Sequence, residues 1–206
     1  QGIVKFDVKE LPDVRKINRL TLEDGESIWK AWADKLKRSK VLIVYGQYRP
    51  LTAEENSVVE KFCEKYDVVI SNDIISNLHT KYCIPTFAMC RALNNFQLET
   101  LCPDIVITMN ANTISEIKSR LIPFKNQFEH WHVSSKGKVS DPFKIMSDVV
   151  ACSPMTFFKR FAELEESENS HKYYTTWKTM YNTIGENGSL NNEPIEYSSM
   201  YAVQQY

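Results

Sequence analysis

Apolar residues in this chain follow two rhythms, short unbroken runs and helical stripes, and the two alternate. The run Val41-Leu42-Ile43-Val44-Tyr45 is apolar throughout and stops at Gly46. An unbroken apolar run of that length ending at a glycine predicts a strand buried on both faces. Asp67-Val68-Val69-Ile70 predicts a second strand, and residues 103–109, 129–133 and 147–151 predict three more. The stripe Ile28, Trp29, Trp32, Leu36 marks a helix within residues 22–40, with Asp24 near its cap. Thr52 and Glu55 form a capping box ahead of Val58, Val59, Phe62 and Cys63. Residues 85–93 and 113–121 read as helices, the second with Ile114, Ile117, Lys118 and Leu121 spaced for packing. Ser153 and Pro154 supply an N-cap and a first-turn proline to a helix over 155–164. Residues 72–82 read as loop.

Strands that alternate with helices at this spacing build βαβ units. Right-handed crossovers then give an α/β fold: a doubly wound, mostly parallel sheet of five or six strands with helices on both faces. The ends read differently. Residues 1–20 mix short apolar groups with charges, include Pro12 and read as an arm or linker from a preceding domain. The α/β domain covers 21–164. Residues 165–206 read as a linker and the truncated start of a following domain. They open with the charged break at 165–170. The stripe Tyr174, Trp177, Met180, Tyr181 within 171–184 is either a packed helix or a face for a missing domain, and the second is favoured. Residues 185–192 read as a polar loop, and 194–206 as a helix stopped in mid-pattern.

Composition narrows the function classes. The chain has 206 residues, 25 Lys+Arg against 26 Asp+Glu, and a net charge of −1. That balance argues against nucleic-acid and membrane-surface partners. There is no apolar run long enough for a membrane span and no secretory leader at the start, so the expected compartment is the cytoplasm. The missing initiator Met points to an excised or processed piece. A chain of this length buries enough surface to fold without metal or disulfide. Its five cysteines are an odd count with no C-x-x-C pair. They read as buried or partly buried free thiols in a reducing compartment, with a zinc site or disulfides as the lesser alternative.

Ligands of open parallel sheets bind beyond the carboxyl ends of the strands. The candidate segments are 46–49, 71–73 and 110–113. The last leads into a helix N-terminus, which favours a carboxylate or phosphate. The alternative is that Asn112 or Thr113 only caps that helix. A dinucleotide fingerprint is missing, since Gly46-Gln47-Tyr48-Arg49-Pro50 supplies one glycine and a proline. No P-loop and no G-x-S-x-G elbow is present. His130 and His132 share one face of a strand, where they form either half of a metal site lacking its third ligand or partly exposed histidines near a strand end. Trp131 faces the other way, toward a core. No nucleophile and base are paired by spacing, so no catalytic residue and no metal ligand is assigned.

Three segments carry a resemblance. The run Pro103-Asp-Ile-Val-Ile-Thr-Met-Asn-Ala-Asn-Thr-Ile-Ser115, then Glu129-His-Trp-His-Val-Ser-Ser-Lys-Gly137, then Asp141-Pro-Phe143 is similar to the central domain of the SEPHCHC synthases. Glu10 to Arg15 and the strand at 40–46 resemble the segments that lead into that domain. The likeness covers roughly residues 5–164, and the tail more weakly. It implies a thiamine-diphosphate- and Mg2+-dependent parent enzyme of menaquinone biosynthesis, which decarboxylates 2-oxoglutarate and adds the succinyl unit to isochorismate. It also implies a homo-oligomer, with the cofactor held by flanking domains of the same chain. The diphosphate motif G-D-G and the cofactor-activating glutamate have no counterpart here, so no cofactor is expected on this piece. The resemblance implies a basic substrate contact at the start of the helix after the strand at 103–109, so Glu116 and Lys118 join Asn110, Asn112 and Thr113 of the preceding loop as candidate substrate-binding positions. Where the family places a basic residue at the start of the helix this chain has Glu116, and Ile117 stands where Arg is frequent. Lys118 lies two residues on, a helical rotation of about 200°. The contact is thus either relocated or given up. An independent dinucleotide-binding or interaction module of similar fold is the alternative.

Overall fold

The strands form where the apolar runs lie. A computed structural model of the chain describes residues 16–110, 112–164 and 169–186. The expectations for residues 1–15, 165–168, 187–192 and 194–206 lie outside the described residues. The strands are β1 (Asn18–Thr21), β2 (Val41–Tyr45), β3 (Val68–Asn72), β4 (Cys83–Pro85), β5 (Ile105–Met109), β6 (Glu129–Val133) and β7 (Met146–Ala151). The helices are α1 (Glu26–Lys37), α2 (Ala53–Lys65), α3 (Thr86–Ala92), α4 (Asn95–Thr100), α5 (Ile117–Leu121), α6 (Pro154–Glu163) and α7 (Lys172–Glu186).

All seven strands pair in parallel, in the order β1-β7-β6-β5-β2-β3-β4. The central strands β2 and β5 are buried at every position, which is why they read as unbroken apolar runs. Alternate residues feed two cores. Val41, Ile43, Tyr45, Ile105 and Ile107 face α1, α2 and α6, while Leu42, Val44 and Val106 face α3, α4, α5 and α7. The fold is the expected doubly wound sandwich, with two more strands than five. Both additions are edges. β1 buries only Leu20, and β4 is three residues ending in a proline, so neither makes an apolar run. Residues 18–20 therefore belong to the sheet and not to the expected arm.

The helix ends follow local chemistry. The Thr52–Glu55 capping box is formed, and Arg49 grips the Glu55 carboxylate through two hydrogen bonds of 2.8 and 2.6 Å. Those bonds, together with the Thr52 backbone N–H, hold the Glu55 carboxyl down to about 2. Lys65, almost fully buried, donates to the carbonyls of Ala162 and Leu164 and closes the end of α6 against α2. Among the glycines, Gly137 is required by its backbone: φ is +60°, and a Cβ there would meet the Arg19 guanidinium at 3.0 Å. That guanidinium donates to the Gly137 carbonyl at 2.6 Å and ties the turn after β6 to β1.

Helix α7 packs on the sheet. Tyr173 and Trp177 are buried in the second core, and Met180 packs on it. The aromatic stripe expected to wait for a missing partner is spent largely on this sheet.

All five cysteines are free, and Cys63, Cys90, Cys102 and Cys152 are buried. Burial pushes the Cys90 and Cys102 thiols up to about 11 and Cys152 to about 12. Since the thiolate is the nucleophile, iodoacetamide at pH 7 is expected to leave these four unmodified in the folded chain and to label them all in denaturant. Intact-mass spectrometry distinguishes the two; rapid labelling of Cys90 or Cys152 in the folded state contradicts the packing.

Candidate functional site

The strand order reverses between β2 and β5, and the carboxyl ends of open parallel sheets diverge at such a point. A cleft of about 280 Å³ opens there. Val44 of β2, Thr108 and Met109 of β5 and His132 of β6 form its floor. Asn110, Asn112, Thr113 and Lys118 line one side, and Ser140 and Pro142 the other. Four of the five candidate substrate-binding positions thus come together. The fifth, Glu116, lies outside the cleft lining; its exposed carboxylate pairs with Arg91 at 3.6 Å. Lys118 is the cation at the cleft, close enough for its charge to act on His132.

The loop after β5 owes its shape to two features. Asn110 adopts the left-handed conformation, φ 62°, which asparagine tolerates better than most residues. Its side-chain amide lies beside the Tyr45 hydroxyl at the end of β2. The loop is also stitched to the one after β2: the Gln47 N–H donates to the Asn112 carbonyl at 2.8 Å, and the Asn112 amide donates to Gln47 Oε1 at 3.1 Å. With Arg49 committed to Glu55 and the Gly46 N–H bonded to the Met109 carbonyl, the loop after β2 is closed down. A dinucleotide reading is not favoured.

The electropositive turn expected before residue 113 is already filled. Neither Asn112 nor Thr113 caps the helix, which begins only at Ile117. Asp73, just beyond β3, reaches across instead and accepts from the N–H groups of Ile114 at 2.6 Å and Ser115 at 3.0 Å. The Ser115 hydroxyl accepts from the Ile117 N–H and continues through Thr86 to Ser71 of β3, at 2.9 and 2.6 Å. The anion that the backbone favours here is the chain's own carboxylate. Asp73→Ala is expected to cost about 1–2 kcal/mol, as for other lost caps. Replacing chloride by sulfate at matched ionic strength should then raise the variant's melting temperature more than the parent's. An equal rise in both means that the freed N–H groups bind no anion.

The two histidines of β6 also depart from expectation. His130 is fully buried and His132 is 7% exposed, so neither is a half-exposed strand-end residue. They do share one face, and the Thr108 hydroxyl of the neighbouring strand sits between them. It is 2.8 Å from His130 Nε2 and 2.9 Å from His132 Nδ1. The far nitrogen of His130, Nδ1, is 3.2 Å from Asp141 Oδ1. The Asp141 carboxylate also accepts from the Ile145 and Met146 N–H groups at 3.1 and 2.8 Å. Burial works against its ionisation, but those N–H groups and His130 outweigh burial and hold its carboxyl below the usual range. Burial, reinforced by Lys118, lowers the His132 pKa despite the bond to Thr108. Phe143 packs its ring edge-on against His130, with centroids 5.0 Å apart. Trp131 points to the opposite core, against Trp32.

The spacing of His130 and His132 made them visible in the sequence, whereas Thr108 and Asp141 carried no separate signal. The three segments of the resemblance nevertheless meet here. The first supplies Thr108 and the loop from Asn110, the second supplies both histidines, and the third supplies Asp141 and Phe143.

No family model matches the chain. Seven curated relatives do, all of them 2-succinyl-5-enolpyruvyl-6-hydroxy-3-cyclohexene-1-carboxylate (SEPHCHC) synthases. The synthase of Phocaeicola vulgatus is 26% identical over 192 residues, which cover 89% of this chain and 33% of the relative. That of Bacteroides thetaiotaomicron is 25% identical over 208 residues, 98% of this chain and 36% of the relative. That of Bacillus cytotoxicus is 28% identical over 147 residues, 68% of this chain and 24% of the relative. The chain spans about a third of the length of the first two relatives and less of the third. Across most of its length, then, the chain is similar to a stretch of about a third of the SEPHCHC synthases, which supports a domain of that enzyme family.

Proposed function

We propose that the chain is the central, non-catalytic domain of a thiamine-diphosphate-dependent SEPHCHC synthase. The parent enzyme decarboxylates 2-oxoglutarate and adds the succinyl unit to isochorismate in cytoplasmic menaquinone biosynthesis. The observation that carries this reading is the match of nearly the whole chain to about a third of two such synthases. The cofactor and its Mg2+ belong, on this reading, to flanking domains of the same chain in a homo-oligomer. The residues here do not fit the diphosphate. The backbone N–H groups best placed to hold one, at Ile114 and Ser115, are bonded to Asp73. No helix of the described residues is long and apolar enough to cross a membrane.

Reading the coding sequence on both sides tests the proposal. A pyrimidine-binding domain upstream and a G-D-G motif with a distant asparagine downstream are expected. A stop codon directly after Tyr206 overturns it. Calorimetry of the chain with thiamine diphosphate and Mg2+, and separately with NAD, is expected to show no heat of binding. Tight NAD binding supports the module alternative instead.

A further inference from the structure

The cleft at the carboxyl ends of the strands is polar inside and apolar at its lips. Lys118 is the cation of its lining, and no carboxylate lines it among the described residues. Lys118 is half-buried and has no ion-pair partner among the described residues, whereas Lys35, Lys40 and Lys81 each pair with a carboxylate. The acids of the adjoining loops are turned to backbone. Asp73 accepts from the Ile114 and Ser115 N–H groups, and Asp141 from those of Ile145 and Met146. A half-buried cation among neutral polar groups favours a negatively charged occupant. Each side of the cleft leads to an exposed aliphatic side chain. Thr113 is followed by Ile114, 52% exposed, and Ser140 is preceded by Val139, 51% exposed. Ile74, 60% exposed, follows Asp73, whose carboxylate holds the Ile114 N–H at 2.6 Å. Three of the seven large apolar side chains exposed among the described residues thus gather at one mouth. Single exposed aliphatics are ordinary, but three around a charged cleft mark an interaction surface.

We infer that this mouth is a docking surface for a polypeptide segment that carries an acidic side chain between apolar residues. The carboxylate seats against Lys118, and the flanking side chains cover Ile74, Ile114 and Val139. A free inorganic or small organic anion satisfies the cation but leaves the three aliphatics in water, so the lips call for a longer occupant. The source of the segment rests on the domain reading above. The chain spans about a third of the synthases it matches, so on that reading most of the parent polypeptide lies in other domains that pack against this one. The segment belongs to one of them. Lys118 is then a docking contact, and the basic substrate contact implied for this helix is given up.

Capped tripeptides titrated into the full chain, followed by amide NMR, test the surface. Acetyl-Leu-Asp-Leu-amide is expected to shift the amides of Ile114, Lys118 and Val139. It should bind at least about fivefold more tightly than acetyl-Leu-Asn-Leu-amide, which lacks the charge, and than acetyl-Gly-Asp-Gly-amide, which lacks the apolar flanks. Lys118→Gln should abolish the preference for Asp over Asn and keep that for Leu over Gly. The double variant Ile114→Ser, Val139→Ser should do the reverse, and both its changes fall on exposed side chains. Equal binding of the Leu-Asp-Leu and Gly-Asp-Gly peptides reduces the cleft to a small-anion pocket and overturns the docking surface. Equal binding of the Asp and Asn peptides, or no shift from any of the three, overturns it as well. The coding sequence on either side tests the domain reading separately: peptide binding together with an immediate stop codon leaves the surface standing and removes only the assigned source of the segment.

Discussion

Replacing Phe62 with alanine is expected to lower the unfolding free energy by about 3–5 kcal/mol, the range for a phenylalanine lost from a packed core. Phe62 has no exposed surface. Its ring centroid lies 4.9 Å from Tyr66, 5.6 Å from Phe157, 5.2 Å from Phe158 and 6.5 Å from Phe161. It is the ring through which α2 grips α6, and Tyr66 reinforces the grip by donating to the Phe161 carbonyl at 3.1 Å. Truncation leaves a cavity walled by rings that are themselves pinned, so little collapse can refill it. Domains are commonly stable by only about 5–15 kcal/mol, so the urea midpoint should fall steeply with little change in slope. Phe62→Leu should recover more than half of the loss. A loss below about 1.5 kcal/mol for the alanine variant contradicts the aromatic contact between the two helices.

What the sequence made legible follows burial. β2 and β5 are covered on both faces, so every residue is apolar and the strands stand out. Helices α1 and α2 show because one stripe of each is buried. The Thr52–Glu55 box lies within four residues and can be read directly. β1 and β4 pair through backbone groups at the edges, and backbone pairing leaves no mark on side-chain type. The cleft was legible as a location, because the carboxyl ends of strands can be placed once the strands are known. Its chemistry was less so. Asp73 meets Ile114 across 41 residues, and Thr108 meets His130 across 22. Such contacts depend on strand order, which periodicity does not encode. The separation of Glu116 and Lys118, by contrast, was legible: two residues apart on a helix they point to different places, one to Arg91 and one to the cleft.

Trp177→Ala is expected to cost about 3–5 kcal/mol, and this value decides to which unit α7 belongs. An aromatic stripe displayed for another domain would be close to neutral when truncated here. The structure gives the stripe a different use. Trp177 is 1% exposed in the second core, and its ring stands edge-on to Tyr173 with centroids 6.2 Å apart. The Tyr173 hydroxyl donates to the Leu101 carbonyl at 2.9 Å, and Tyr174 donates to the Lys81 carbonyl at 2.5 Å. The start of the helix is fixed by Asp67, whose carboxylate accepts from the Tyr173 and Tyr174 N–H groups at 2.9 and 3.2 Å. Anchors at Asp67, Leu101 and Lys81 lie on three different connections of the sheet, so the helix is held as a clasp over the second core. Losing the tryptophan opens a void beneath that clasp and should also raise amide exchange along α7 ahead of the rest of the sheet. A loss under about 1 kcal/mol, with exchange along α7 unchanged, returns the helix to the role that its stripe suggested in the sequence, a face kept for a neighbouring domain.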